Sequence, residues 1–253
     1  MNLETYLLGI LPVEIDASMP EEVIKAQAVL LRTKLCGEGS TLSPEELGDW
    51  YFGEEELKKL WGEENYESNL KRYREAIADT AGETLCYKEE YIRVRYHKSN
   101  GGMILGADEV LEEELPYLRE MESEKQIEGK DCIHMVEYDR AKLQELLGVS
   151  FSEKSLEDQF FVKKMTEHGY VKELFAAGEI LDTKTAMEKL QISSPVFYLE
   201  YLDQSVRIVS LGQGEPLGMS QYGASLEKGD YKELLLHYYP GTQIKQIYEK
   251  ERR

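Results

Sequence analysis

Glu14 is the residue of this sequence best placed to act as a general acid. It lies within residues 6–33, where Val13, Ile15 and Met19 make its surroundings apolar. A carboxyl group partly removed from water favours its neutral form, and a neutral carboxyl near the working pH can donate a proton. The alternative is a solvated loop glutamate, because catalysis also needs a cleft, which sequence alone does not show.

Two helices are predicted to meet at Glu14. Apolar residues recur at helical spacing from the start of the chain until Pro12, which lacks an amide hydrogen, so the first helix is predicted to end before Pro12. A second helix is predicted to begin at a capping box formed by Ser18 and Glu21 and to end at Gly37. Glu14 would then lie in the short connection between the two helices.

A polar loop at residues 97–102 is the second candidate for contact with a ligand. His97 stands where a predicted strand enters this loop, and Gly101 and Gly102 permit backbone conformations denied to other residues. A histidine in such a place can contact a ligand. A turn with a surface histidine is the alternative.

The third candidate is a glycine-rich segment at residues 212–224, which is predicted to leave a strand and enter a helix. Such a turn presents backbone amides and short polar side chains, here Ser220 and Gln221, at the start of a helix. The segment is not a phosphate-binding loop, because it lacks the Gly-Lys-Ser/Thr element.

Composition excludes some classes of function. The chain has 253 residues, 42% of them hydrophobic, so it is predicted to fold around a core. Its 49 acidic and 30 basic residues give a net charge of −19, which argues against a nucleic acid partner. No apolar run is long enough to span a bilayer, and no export signal is visible at residues 1–11. We therefore expect either a cytoplasmic protein or a chain that begins after a removed or omitted anchor.

The cysteines do not predict a disulfide framework or a metal site. Cys36, Cys86 and Cys132 are odd in number and lack CxxC spacing, so buried reduced thiols are expected. Cys132 and His134 form the closest Cys/His pairing, whereas a structural zinc site needs four ligands. No metal and no cofactor are predicted.

Helices and hairpins are mixed along the chain without a βαβ rhythm, which favours an α+β fold with antiparallel pairing. The first third is predicted to be helical, and the predicted hairpins cover residues 84–96, 160–176 and 196–210. Local signals predict where helices begin and end. The start signals are Ser43 with Pro44, Asp182, and Asp230 with Glu233, and the end signal is Gly148. We expect a helical N-terminal part packed on antiparallel β-hairpins.

Three motifs occur in order along the chain. The first joins residues 6–14 to residues 20–33, the second joins residues 96–102 to residues 116–118, and the third joins residues 218–224 to residues 237–242. Together they resemble the sporulation stage II protein D family, also called the SpoIID/LytB domain. The likeness implies a single domain of this kind over residues 1–253, with an active-site groove and a helical insertion at about residues 40–82.

Members of that family are lytic transglycosylases of bacterial cell-wall glycan, preferring strands stripped of stem peptides, or enhancers of partner amidases. The resemblance implies that Glu14 is the catalytic acid between N-acetylmuramic acid and N-acetylglucosamine, and that the products carry 1,6-anhydro ends. The nucleophile is then the sugar's own 6-hydroxyl, so no second carboxylate is required. A hydrolytic pair with Asp16 is the alternative, since both side chains would point to one side of an extended segment.

The resemblance and hydrogen-bonding chemistry also imply residues that hold the sugar. His97, Ser99, Ser220 and Gln221 would line the groove and bind hydroxyl or N-acetyl groups. Gln27 and Arg32 of the second helix would either reach the same site or brace it. Bracing is favoured for Arg32, whose fixed guanidinium geometry suits a structural carboxylate.

Two departures from the family pattern leave two function classes open. Gln213 stands where the family has a histidine, in a loop with about two extra residues, and Asn100 stands where many relatives have serine or cysteine. Gln213 can form hydrogen bonds but cannot titrate. The chain is therefore either an active lytic transglycosylase or a non-catalytic peptidoglycan-binding or amidase-enhancing module.

The resemblance also implies partners and a location. The expected partners are peptidoglycan glycan strands and a cell-wall amidase or another sporulation wall hydrolase. The implied location is extracytoplasmic, at the cell wall or anchored to a membrane by a segment outside this sequence, and it is cytoplasmic if the chain is complete as given.

Overall fold

The computed structural model describes residues 3–37, 51–123, 129 and 132–247. The helix predicted to start at Ser43 lies outside these residues. The helices are α1 (Leu3–Glu14), α2 (Glu21–Gly37), α3 (Glu54–Trp61), α4 (Glu63–Asp79), α5 (Ala107–Leu111), α6 (Arg140–Leu147), α7 (Thr183–Leu190), α8 (Gln221–Leu226) and α9 (Tyr231–Tyr238).

The strands are short and mostly antiparallel, which together with the helices confirms the α+β class. They are β1 (Glu83–Tyr87), β2 (Glu90–Tyr91), β3 (Tyr96–His97), β4 (Ser99–Asn100), β5 (Met103–Ile104), β6 (Met121–Glu122), β7 (Ile133–Asp139), β8 (Phe160–Met165), β9 (Val171–Ala176), β10 (Glu179–Asp182), β11 (Phe197–Tyr201), β12 (Ser205–Gln213), β13 (Met219–Ser220) and β14 (Gln243–Gln246).

The chain forms two compact units. The first unit consists of Met1–Arg95 and Ala224–Arg253, and the second unit consists of Tyr96–Gly223. None of the helices within the described ranges is both long enough and apolar enough to cross a bilayer. The single-domain organisation stays a prediction.

Helix α2 is the central element of the first unit. Its residues Ile24, Ala28 and Leu31 are buried, as their helical spacing predicts, and the helix ends at Gly37 as expected. Helices α1, α4 and α9 and strand β1 all pack against it. Strand β1 also pairs with β2 and β14 in a three-stranded antiparallel sheet.

The prediction that the first helix ends before Pro12 is wrong. Helix α1 continues through the buried Pro12 to Glu14, and the amide of Ile15 still donates to the carbonyl of Leu11 at 3.1 Å. Proline removes one helical hydrogen bond and crowds the preceding turn. Leu7 and Leu11 before Pro12 and Ile15 after it are all buried, so tertiary packing on both sides of the proline offsets the lost bond.

The predicted capping box at Ser18 is also wrong. Helix α2 begins at Glu21, directly after Pro20, whose carbonyl accepts hydrogen bonds from the amides of Val23 and Ile24 at 3.0 and 3.2 Å. The amide of Ser18 instead donates to Asp16 Oδ1 at 2.7 Å, which places Ser18 in the turn before the helix. A proline disfavours the helical conformation of the residue before it, here Met19, so the helix does not start earlier.

Most other local predictions are confirmed. The hairpin of β1 and β2 turns at Lys88 and Glu89, both at positive φ, although its second strand ends at Tyr91 rather than at Tyr96. Helix α4 runs over Glu63–Asp79, within the first third of the chain that is predicted to be helical. The predicted helix ends are found where expected; these are Gly148 after α6, Asp182 before α7, and the capping box of Asp230 and Glu233 before α9.

The second unit is built on the long strand β12. Strands β11 and β7 pair with β12 on its two sides, both antiparallel, and its last residues pair with β4. Strands β8, β9 and β10 form a second antiparallel sheet. One hydrophobic cluster joins these two sheets to α6 and α7, with Leu143, Phe160, Leu174, Leu190 and Ile208 in its interior.

Candidate functional site

The predicted site residues are divided between the two units. Glu14, Gln27 and Arg32 belong to the first unit. The others belong to the second unit, where the structure brings them together; they are His97, Ser99, Gln213, Ser220 and Gln221.

Glu14 is the last residue of α1 and is half-buried. It therefore lies at the end of a helix, not in the connection predicted from the position of Pro12. The preceding residue, Val13, is 37% exposed, whereas the following residue, Ile15, is buried. Glu14 thus lies between an exposed residue and a buried one and is itself half-buried.

Helix α4 holds the turn that follows Glu14. The hydroxyl of Tyr73 donates to the carbonyl oxygen of Ile15 at 2.6 Å, and Nη2 of Arg72 donates to the carbonyl oxygen of Met19 at 2.8 Å. The Tyr73 side chain is fully buried and its ring stacks on that of Trp61, with 5.5 Å between the centroids. These contacts fix the backbone on the C-terminal side of Glu14.

Tyr73 remains a neutral donor. Burial raises the pKa of its phenol, and the nearby Asp16 raises it further. The sequence does not reveal this role of Tyr73, because helical periodicity predicts burial and not the partner of a hydroxyl group.

Asp16 is part of the same turn. Its carbonyl accepts a hydrogen bond from the amide of Met19 at 3.1 Å, and its side chain accepts the amide of Ser18. The segment from Glu14 to Asp16 is a helix end followed by a turn, so the extended geometry that would pair the two carboxylates is absent from this described segment. The premise for a hydrolytic pair is therefore wrong.

Arg32 braces the first unit. It is fully buried and binds both carboxylate oxygens of Glu4, with Nε 3.0 Å from Oε1 and Nη2 2.8 Å from Oε2. Its Nη1 donates to the carbonyl of Glu83 at 3.0 Å, and Glu4 also accepts the amide of Gly82 at 3.1 Å. These bonds tie α1 and α2 to the start of β1, in agreement with the bracing alternative. Gln27 is likewise fully buried in α2.

His97 lies in the interior of the second unit with 3% of its surface exposed, so the alternative of a surface histidine is wrong. Its Nδ1 is 3.2 Å from the carbonyl oxygen of Leu217, and its Nε2 is 3.1 Å from Nδ2 of Asn100. A carbonyl can only accept, so Nδ1 carries the proton and Nε2 accepts from the Asn100 amide. Burial lowers the pKa of His97 to about 4, only partly opposed by the bond to Leu217, which keeps the imidazole neutral.

Asn100 extends this hydrogen-bonded network. Its Oδ1 accepts from the amide of Gly102 and from the hydroxyl of Ser123, both at 2.8 Å. These hydrogen bonds fix which group donates and which accepts along the series from Leu217 through His97 and Asn100 to Ser123. Each group that donates on one side must accept on the other. Asn100 was noted in the sequence only as a departure from the family; its role in orienting His97 became visible with the structure.

Backbone pairing joins the polar loop to the glycine-rich segment. Ser220 pairs with His97 in the parallel ladder of β13 and β3, and Gln213 pairs with Ser99 in the antiparallel ladder of β12 and β4. The amide of Tyr222 also donates to the carbonyl of Lys98 at 2.9 Å. The structure thus brings together four of the predicted site residues, two from each of two segments that are more than 100 positions apart in sequence.

Two glycines make this close approach possible. A Cβ atom at Gly212 would lie 2.5 Å from the carbonyl oxygen of Ser99, and Gly212 has φ near +86°. A Cβ atom at Gly214 would lie 3.1 Å from that of His97. A side chain at position 212 would separate the two strands, so glycine is required there for steric and conformational reasons.

Burial differs among the polar residues of this region. Ser220 is fully buried and its hydroxyl caps α8 by accepting the amide of Gly223 at 3.1 Å, and Gln221 and Ser99 are also buried. Gln213 is half-buried and Lys98 is exposed. The groups best able to reach a bound molecule are therefore Gln213 and Lys98, while the buried residues shape the loop that carries them.

Comparison with known proteins agrees with the motifs. Residues 1–87 match the SpoIID family model, described as stage II sporulation protein. The chain is 27% identical to stage II sporulation protein D of Bacillus subtilis (strain 168), over 96% of this chain and 74% of that protein. The protein of the same name from Bacillus amyloliquefaciens gives the same values.

A relative with a different name is also similar. The amidase enhancer of Bacillus subtilis (strain 168) is 26% identical over 94% of this chain and 40% of its own length. The resemblance to the stage II sporulation protein D family, predicted from three motifs, is confirmed by these matches.

Proposed function

We propose that this chain, which resembles stage II sporulation protein D over nearly its whole length, is a peptidoglycan lytic transglycosylase with Glu14 as its general acid and base. The similarity to proteins named for sporulation and for amidase enhancement supports a role in cell-wall remodelling. The substrate would be glycan strands freed of stem peptides, and the activity would take place outside the cytoplasm.

The proposed reaction needs one ionisable side chain. Glu14 in its neutral form donates its proton to the glycosidic oxygen between N-acetylmuramic acid and N-acetylglucosamine, and the bond from that oxygen to the anomeric carbon breaks. The 6-hydroxyl of the same muramic acid then attacks the anomeric carbon and gives its proton back to Glu14. Because the nucleophile is already part of the substrate, the enzyme gains a large entropic advantage without a second carboxylate.

The observation that carries this proposal is the placement of Glu14. It ends α1 within the first motif, is half-buried, and is followed by a turn that Tyr73 and Arg72 anchor through the backbone. A general acid acts efficiently only when its carboxyl is held in one position relative to the scissile bond. A backbone fixed by buried hydrogen bonds meets that requirement better than a mobile loop.

Two side chains of the second unit are chemically suited to bind sugar groups. Gln213 can donate to and accept from hydroxyl and N-acetyl groups, and Lys98 can pair with the lactyl carboxylate of a muramic acid. His97 and Ser220 would act indirectly, by holding the loop that carries Lys98 and the strand end that carries Gln213. This role for His97 differs from direct sugar contact, because its two ring nitrogens already have partners.

A specific observation favours a second candidate function. Gln213 replaces a histidine of the family pattern and cannot move a proton, and the amidase enhancer is among the similar proteins. On this alternative the chain binds peptidoglycan and activates a partner amidase without cutting glycan itself. Binding to cell-wall sacculi with stimulation of an added amidase, and no cleavage by the chain alone, would favour it.

The substitution Glu14→Gln tests the proposed function. It preserves the shape of the side chain and removes its acidic proton, so we expect cleavage of peptide-free glycan strands to fall by at least ~100-fold while glycan binding is retained. Asp16→Asn is the matched control, and its cleavage rate is expected to stay near that of the parent. A Glu14→Gln variant that cuts as fast as the parent would exclude Glu14 as the acid.

A further inference from the structure

A cluster of potential metal ligands lies in the second unit, formed by Glu109, Glu120 and His168. Glu109 is on α5, Glu120 lies just before β6, and His168 lies in the turn between β8 and β9. One ligand atom from each of the three residues lies within 4.8 Å of the other two. The sequence did not reveal this cluster, because its members are separated by up to 59 positions.

The distances within the cluster suit a small cation. His168 Nδ1 is 2.8 Å from Oε2 of Glu109, and its Nε2 is 3.8 Å from Oε1 of Glu120. Zinc binds nitrogen and oxygen at about 2.0–2.2 Å, which corresponds to about 3.4 Å between neighbouring ligand atoms of a tetrahedron. A single ion binds only one of the two ring nitrogens of His168. Because one ligand atom from each of the three residues already lies within 4.8 Å of the other two, a rotation of the exposed Glu120 side chain would bring the ligand atoms to that separation.

The turn that carries His168 is held in place. Oε1 of Glu109 accepts the backbone amide of His168 at 3.2 Å, so one carboxylate contacts both the backbone and the ring of this residue. The turn itself is closed by the bond from the Gly169 amide to the carbonyl of Thr166 at 3.1 Å. The imidazole is therefore positioned before any ion arrives, which reduces the entropic cost of binding.

Charge also favours a cation here. Two carboxylates share one imidazole, and within the described part of the chain no lysine or arginine forms an ion pair with Glu109 or Glu120. The side chains of Glu109 and His168 are 15% and 25% exposed, whereas that of Glu120 is 55% exposed. The cluster is thus shielded on one side and open to solvent on the other, which gives an ion a path of entry.

We propose that Glu109, Glu120 and His168 bind one zinc ion, with a fourth position open to water. Two carboxylates and one imidazole supply oxygen and nitrogen ligands, and a site with three protein ligands leaves one coordination position free. The ion takes the place of the proton held between His168 and Glu109 and releases that proton to solvent. The site is separate from the proposed chemistry at Glu14 and does not depend on it.

Zinc titration of the chelator-treated protein tests the proposal. By calorimetry we expect one zinc ion per chain, and we expect Glu120→Ala to weaken binding by at least ~10-fold, since loss of an outer-shell partner alone costs that much. Glu120 is exposed, so this variant should fold like the parent. Glu122→Ala, two positions further on in β6, is the matched control and should bind like the parent.

X-ray absorption at the zinc edge separates this cluster from the cysteines. We expect a coordination shell of nitrogen and oxygen only. A sulfur ligand would assign the ion elsewhere, for example to the neighbourhood of Cys132, and would overturn the proposal. Absence of zinc binding by the parent, or equal binding by parent and Glu120→Ala, would overturn it as well.

Discussion

The hydroxyl of Tyr73 donates a hydrogen bond of 2.6 Å to the carbonyl oxygen of Ile15, the residue directly after Glu14. Both residues are buried, so this bond links the end of α1 to α4 in an environment that excludes water. A buried bond of this kind is costly to leave unmade. It ties the position of the proposed catalytic carboxyl to a helix that the family motifs do not include.

We predict that Tyr73→Phe destabilises the first unit and slows catalysis. The substitution leaves the carbonyl of Ile15 without its partner, which costs roughly 1–3 kcal/mol of unfolding free energy. The cleavage rate should fall more than the affinity for glycan, because Glu14 loses its fixed position. Urea denaturation and initial rates measure both. Tyr66→Phe on the same helix is the control, and an equal loss of activity in both variants would contradict the prediction.

Arg32→Met should destabilise the protein strongly. It removes the buried partner of Glu4 together with the hydrogen bonds to Glu4, Glu83 and Thr80, so we expect a loss of about 3–5 kcal/mol in unfolding free energy. Lys71→Met, which breaks an exposed pair with Glu75 in the same unit, should cost no more than about 0.5 kcal/mol. Denaturant titration of both variants checks the prediction, and similar losses in the two would refute the bracing role of Arg32.

Gly212→Ala should disrupt the pairing between the polar loop and the glycine-rich segment. The added methyl group would meet the carbonyl of Ser99 at a backbone φ that disfavours alanine. Gly148 also has positive φ but open space around its Cβ position, so Gly148→Ala isolates the conformational cost of about 1–2 kcal/mol. Thermal melting should show a clearly larger loss for Gly212→Ala; equal losses would mean that the steric contact is unimportant.

The stability of the second unit should depend on pH through His97. Burial lowers the pKa of His97 from 6.5 to about 4, so between these values the unfolded chain binds a proton that the native chain does not. The free energy of unfolding is therefore highest above pH 6.5 and decreases as the pH falls towards 4, by roughly 3 kcal/mol at most. An NMR titration of the His97 ring measures the pKa directly. A midpoint near 6.5 would contradict the buried neutral state.

Local signals predicted much of the fold. Asp182, Gly148 and the pair Asp230 and Glu233 mark helix ends correctly, because a cap depends on the few residues around it. The prediction that the first helix ends before Pro12 was wrong for the opposite reason. Its local preference is to end a helix, and only the tertiary packing of α1 overrides that preference.

The site was predicted in part. Motif resemblance selected Glu14, His97, Ser220 and Gln213, and the structure shows that the last three lie on paired strands. The contacts that hold them were not predictable, since they join distant residues. The bond from Tyr73 to Ile15 spans 58 positions and that from His97 to Leu217 spans 120. A single sequence carries no signal for such pairs, and the same holds for the cluster around His168.

The most direct test of the account is the mass of the products released from peptide-free glycan strands by the parent protein. Lytic transglycosylation predicts fragments lighter than hydrolytic ones by one water molecule, with 1,6-anhydro ends, and their disappearance in Glu14→Gln. Hydrolytic products, or no products from a folded protein that binds glycan, would contradict the claim that Glu14 directs an intramolecular attack.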